Sequence, residues 1–346
     1  MIARTRSVVL AACVAAAGCV TTEIEPDDAG MPAGLPVVIP LRGPDGYRPE
    51  DPVTQYYESA LLLMHDAVLE RDPERLIELC AQHDRSAAPE AVREQIARFR
   101  RIARVLTFER EFARRAIVEL RGDLRPALGE LVPLEIRCPI LDQSDVVIGG
   151  EGSSDRASFQ VRVRLEDVDC FGGSVERSFS ALVGLSHEVV VGLEQLNVPF
   201  DLDAVPPQGI LRRVRIDAAL LPGRVRLEGE RLPCQRIELA RREFELFPKG
   251  IEIVNAEPMK TLRNALRSPD PKHLENVFLA VRAMPVDQRH AACEILIREV
   301  RIGDTVRARA CMAALRELTG AEISVDDRRG WLRWWTEQAT AVGESR

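Results

Sequence analysis

The chain has 346 residues, 47 Lys and Arg against 54 Asp and Glu, and a formal net charge of −7. Its aromatic residues make up 5% and do not interleave with basic ones, so it lacks the pattern of a nucleic-acid-binding surface. That length leaves room for two or three domains.

Residues 1–18 form the first element. Arg4 and Arg6 give a basic start, and residues 7–18 make an apolar run too short to span a bilayer. The motif Ala16-Ala17-Gly18-Cys19 resembles the lipobox of bacterial lipoproteins, although Ala16 stands where that pattern prefers Leu. Leu10-Ala11-Ala12-Cys13 matches the residue types better, but cleavage there leaves too short an apolar core, so Cys19 is preferred. The resemblance implies a diacylglyceryl thioether on Cys19, an acylated amino terminus and loss of residues 1–18. Val20 follows the Cys where inner-membrane retention favours Asp. The expected location is therefore extracytoplasmic, at the outer membrane of a diderm bacterium. Each buried methylene of such an anchor contributes about 0.8 kcal/mol. Loss of Arg4 and Arg6 takes the formal charge from −7 to −9.

Residues 19–51 carry the lipidated Cys and a tether. Pro26, Pro32, Pro36, Pro40, Pro44 and Pro49 interleave with Gly30, Gly34, Gly43 and Gly46, and no apolar period appears. Residues 52–121 read as helical. Tyr57, Leu61, Met64 and Val68 fall at i, i+4, i+7 and i+11. Asp72-Pro73 starts a second helix with an N-cap and a Pro at the first helical position. A third is expected from about Pro89 to Arg104.

From about residue 125 to 250 the period changes to two. In SFQVRVRLE (158–166), Phe159, Val161, Val163 and Leu165 point one way, and Gln160, Arg162, Arg164 and Glu166 the other. Similar runs are Val132 to Cys138, Val214 to Leu220, Val225-Leu227, Ile237-Leu239 and Phe244-Leu246. Gly172-Gly173 signals a hairpin. Seven or eight short strands without intervening helix predict an antiparallel sandwich. Their spacing resembles immunoglobulin-like domains of bacterial envelope proteins in architecture, without the Cys–Trp–Cys hallmark.

Over 256–340 the period returns to that of helices, at about 257–267, 270–283, 286–300, 304–318 and 327–340. RARACMAALRELTGAEISVDDRRGWLRWW (307–335) resembles the closing unit of HEAT-like repeat proteins, through Leu318-Thr319-Gly320 followed by a Trp-rich helix. The predicted class is therefore multidomain α+β: a small helical region, an Ig-like sandwich and all-α HEAT-like helices. Cys293 and Cys311 lie level across a helical hairpin and form the best disulfide candidate among the mature cysteines.

Chemical motifs are sparse. Gly184-Leu185-Ser186-His187-Glu188 approaches a hydrolase elbow without its second Gly. His187-Glu188 lacks a second His one turn on, and His290 with Glu294 lacks a third ligand, so no metal or cofactor is expected. Glu166, Asp167 and Asp169 precede the hairpin, either as loop ligands for calcium or as acids on a wet strand face. Arg121-Gly122-Asp123 spells an adhesion tripeptide, but three residues carry too little information to read, and the glycines at 149, 150 and 152 match no phosphate-binding motif. Trp331, Trp334 and Trp335 share one helix face, either as a buried cap or as an aromatic platform. These readings predict a non-catalytic, lipid-anchored scaffold that binds another envelope protein. A glycan-binding module using the tryptophans is the alternative, and a hydrolase without a recognisable motif comes third.

Overall fold

A computed structural model describes residues 52–343 apart from 85–87, 123–125, 142–144, 151, 153–154, 186 and 194. The signal, the tether, Cys13 and Cys19 lie outside the described residues, as do Asp123, Ser153, Ser154 and Ser186.

Three helices come first: α1 (Pro52–Leu69), α2 (Pro73–His83) and α3 (Glu90–Arg115). Tyr57, Leu61, Met64 and Val68 of α1 are all buried, as their spacing requires. At the start of α2 the Asp72 side chain accepts a hydrogen bond from Arg75 N–H at 3.0 Å, with Pro73 at the first helical position. Helix α3 runs well past Arg104. Its buried face continues through Ala103, Leu106 and Phe112, with Glu109 buried where an apolar residue is expected. The helical region also ends before residue 121, because Ile117–Leu120 is a strand, β1.

The other strands are β2 (Val132–Cys138), β3 (Val147–Ile148), β4 (Ser158–Val168), β5 (Ser174–Gly184), β6 (Val189–Val190), β7 (Leu196–Leu202), β8 (Leu211–Leu221), β9 (Val225–Leu227), β10 (Glu230–Leu232), β11 (Ile237–Glu238) and β12 (Arg242–Leu246). They form three antiparallel sheets, in the orders β1-β2-β7, β10-β9-β3-β6 and β11-β8-β4-β5, with β12 also on β8. In the largest sheet β4 is central, and Phe159, Val161, Val163 and Leu165 are buried on one face as the alternation requires. Helices α4 (Ile251–Ala256), α5 (Pro258–Arg267), α6 (Leu274–Arg282), α7 (Arg289–Ile302), α8 (Thr305–Thr319) and α9 (Arg328–Gly343) follow. The chain is thus mixed α and β, with antiparallel sheets in the middle and helices at the C-terminus. Asp304 caps α8 by accepting from Arg307 N–H at 2.9 Å, and Gly320 ends it at φ 70°, a left-handed position that favours Gly.

Two apolar cores result, and both use β4 and β8. The first joins α1, α2 and α3 to all three sheets. Phe112 of α3 stacks on Phe159 of β4, with ring centroids 6.4 Å apart, so the helices are roofed onto the sheet. The second core gathers α4 to α9 around Val168 and Leu211, at the facing ends of β4 and β8. Val168 and Leu211 sit on the face opposite Phe159 and Val214, by the period of two. The C-terminal helices therefore cover the outer face of one end of the sheet whose inner face carries α3. Phe112→Ala should cost about 3–5 kcal/mol. In urea denaturation, helix and sheet signals of that variant should still disappear in one transition.

Candidate functional site

The end of the sheet nearest the C-terminal helices holds a buried charge. Asp167 continues the inward series of β4, and Arg212 faces it in the register of β8. Both are almost fully buried. Arg212 donates Nε to Oδ1 at 2.6 Å and Nη2 to Oδ2 at 3.0 Å. Arg177 of β5 donates to Oδ2 at 2.5 Å, and the Gln208 N–H to the same oxygen at 3.0 Å. Arg212 also donates to the Val205 and Pro206 carbonyls, at 2.9 and 3.2 Å. Burial works against the Asp167 charge, but the hydrogen bonds from Arg212, Gln208 and Arg177 outweigh it and hold the carboxyl below the usual range.

This corrects the reading of the three acids as calcium ligands or wet-face residues. Asp167 is on the buried face. Asp169 accepts from the Phe171 and Gly173 N–H groups, each at 2.8 Å, and shapes the hairpin. Glu166 alone is on the outer face, 3.3 Å from Arg213.

The outer face of the same sheet carries an open cleft of about 420 Å³, lined chiefly by Arg164, Glu166, Glu176, Arg213, Arg215, Glu243 and Glu245. The register sets the charges in two rows. Glu176, Glu166, Arg213 and Glu245 lie side by side across β5, β4, β8 and β12, then Ser178, Arg164, Arg215 and Glu243. The first row meets the helices: Arg282 of α6 donates to both Glu245 oxygens at 2.7 Å and pairs with Glu317 of α8. The second row is open. Arg215 Nε lies 3.3 Å from Glu243 but in a geometry that makes no hydrogen bond. Among the described residues Arg164 and Glu176 have no ion-pair partner, and neither has Arg162 beside them on β4. The cleft thus offers uncommitted charges of both signs where the helical cover stops.

The remaining candidates separate in space. Trp331 is fully buried in the helical core, and its Nε1 donates to the Ser324 carbonyl at 3.0 Å. Trp334 and Trp335 are only half-buried, and Trp335 lies 5.4 Å from the His290 ring. A platform of three rings is therefore not presented to solvent: one tryptophan caps the core and two lie at its rim. Cys293 and Cys311 are buried free thiols on packed helices. Lying level along a hairpin fixes their height, not the rotation about each helix axis. Burial pushes the Cys293 thiol up to about 11. His290 and Glu294 form an exposed pair at 3.5 Å, and Glu188 pairs with Arg226 at 2.5 Å. Glu109 accepts from the Gln235 N–H at 2.9 Å and from Arg71, and burial raises its pKa despite them. Sequence reasoning passed over Arg212, Arg177 and Glu109. The alternation of β4, carried two residues past Leu165, would have placed Asp167 on the buried face.

Removing Arg212 alone leaves Asp167 buried with Arg177 as its one cation. Arg212→Leu should cost about 3–5 kcal/mol in chemical denaturation, and adding Asp167→Leu should recover most of it. The depressed Asp167 pKa contributes stability that is present above about pH 4, the unfolded range, and lost as pH falls through the lower folded value. Asp167→Asn, already weakened at neutral pH, should therefore lose less stability on acidification than the unaltered protein.

Comparison with protein-family models, curated proteins and solved structures finds no match to this chain.

Proposed function

We propose that this protein is a non-catalytic interaction scaffold of the bacterial envelope, anchored through a lipid on Cys19 and reaching out on the tether of residues 19–51. The central strands form an Ig-like module and the C-terminal helices a HEAT-like one, so the described part is an interaction surface built on two modules. The cleft carries this reading. Arg164, Glu176 and the loosely held Arg215 offer charges of both signs on a rigid sheet, which suits a polar segment of another protein better than a small apolar ligand. The packing of α7 on α8 and the Gly320 cap support the HEAT-like assignment. The glycan-binding alternative has weaker support, because Trp331 is enclosed. No described helix is long and apolar enough to cross a membrane, so attachment by this reading rests on Cys19.

Two measurements in a diderm host test the proposal. The intact mass of the mature amino terminus should show a lipid-sized addition on Cys19, abolished by Cys19→Ala. A photo-crosslinking side chain in place of Arg164 should give a discrete adduct with another envelope protein. Glu176→Arg with Arg215→Glu should remove that adduct while the far-UV spectrum is unchanged. An unmodified terminus, or a folded protein that yields no adduct from the cleft, would overturn the reading.

A further inference from the structure

Strand β5 is the outer edge of the largest sheet, and among the described residues β4 is its only ladder partner. Two hydrogen bonds fix the phase of that ladder at both ends. Asp169 N–H donates to the Gly173 carbonyl and Leu185 N–H to the Ala157 carbonyl, each at 2.9 Å. Antiparallel ladders alternate, so Val175, Arg177, Phe179, Ala181 and Val183 turn their backbone groups toward β4. Ser174, Glu176, Ser178, Ser180, Leu182 and Gly184 then turn theirs outward. Among the described residues, no backbone group of β5 is bonded on that outward side.

Edge strands are usually protected by Pro, Lys, a bulge or short length. β5 has none of these protections. It is eleven residues long, its register with β4 is unbroken, and its sequence is SVERSFSALVG. An inward-pointing charge is a further protection, but the one basic residue of β5, Arg177, is inward and neutralised by Asp167. Val175 and Phe179 share the inner face with the core of β4, yet stand 46% and 36% exposed, because nothing continues the sheet beside them. Leu182, on the outer face, is 66% exposed.

Phe179 is the midpoint of the eleven-residue strand. A twofold axis perpendicular to the sheet there sets Ser174 against Gly184, Val175 against Val183, Glu176 against Leu182, Arg177 against Ala181, Ser178 against Ser180, and Phe179 against itself. All eleven positions then pair. Every outward-bonding residue meets another, and no like charges are opposed. An axis through Arg177 or Glu176 opposes like charges, and one through Ser178 or Ser180 leaves two residues unpaired at an end. We infer that a second copy of this chain docks antiparallel on β5 in the Phe179-centred register, continuing the sheet from one protomer into the other and burying the exposed Val175 and Phe179. This goes beyond the scaffold reading, since the partner is the protein itself and the contact needs no lipid, sharing only Glu176 with the cleft.

Sedimentation of the full-length chain across a concentration series tests this, with the dimer mass expected. Ser180→Pro removes one outward N–H without touching the β4 ladder, and Ser178→Lys adds an edge charge. Both should give the monomer mass with an unaltered far-UV spectrum. Phe179→Cys sets two thiols face to face at a close, non-hydrogen-bonded pair and should form a covalent homodimer on mild oxidation. Arg162→Cys, one strand in, should not. A monomer at every concentration, a dimer that survives Ser180→Pro with no Phe179→Cys crosslink, or an edge that crosslinks only to a different polypeptide would each overturn the inference. Cleft crosslinking from the Arg164 position is read separately, so failure of the dimer and failure of the scaffold reading are distinguishable.

Discussion

Asp167 sits where water does not reach, and a carboxylate there must be neutralised or solvated by the protein itself. Arg212 supplies two hydrogen bonds, Arg177 one and the Gln208 backbone one. The net contribution of such a buried pair to stability is small, but leaving either charge alone is costly. Its larger consequence is register. Asp167 and Arg212 are directly opposed on β4 and β8, and a slip of one residue would put their side chains on opposite faces of the sheet. A slip of two would set Asp167 against Val214 or Ile210 with its charge unpaired. The buried pair therefore fixes how β4, β5 and β8 align, and with them the charge rows on the outer face.

The same strand ends tie the two cores together. Val168 and Leu211 lie on one side of the ion pair along the two strands and turn into the helical core, while Leu165 and Val214 lie on its other side and face the sheet core. The hairpin after β4 docks on α8: Arg316 donates to the Gly172 carbonyl at 3.0 Å, and a side chain at Gly172 would meet that guanidinium at 2.5 Å. Gly172 also has φ 75°, so its lack of a Cβ serves both the turn and the close approach. The surface ion pairs from Arg282 to Glu245 and Glu317 add orientation at the rim more than energy.

Where the sequence was readable, a local rule was at work. The capping geometry at Asp72 and Asp304, the left-handed Gly320, the buried stripe of α1 and the alternation of β4 each depend on residues within a turn or a strand of one another. Where it misled, a polar residue occupied a buried position. Glu109 stands unforeseen in the buried stripe of α3, and Asp167 was taken for a loop or surface acid. In both cases the partners that make burial tolerable, Gln235 and Arg71 for one and Arg212 for the other, lie far along the chain.

The sequence by itself determined the order of elements, helices then strands then helices, because periodicity and capping are properties of neighbouring residues. It also carries the Ala16-Ala17-Gly18-Cys19 motif on which the proposed lipid anchor rests. Only the tertiary structure decided that the first three helices share a core with the sheets, that the last six cover the opposite face, and that Trp331 belongs to the interior. It alone placed Arg164, Arg215 and Glu176 in one cleft and left β5, among the described residues, paired on one side only. Those outcomes depend on contacts between residues tens of positions apart, whose pairing no local pattern encodes.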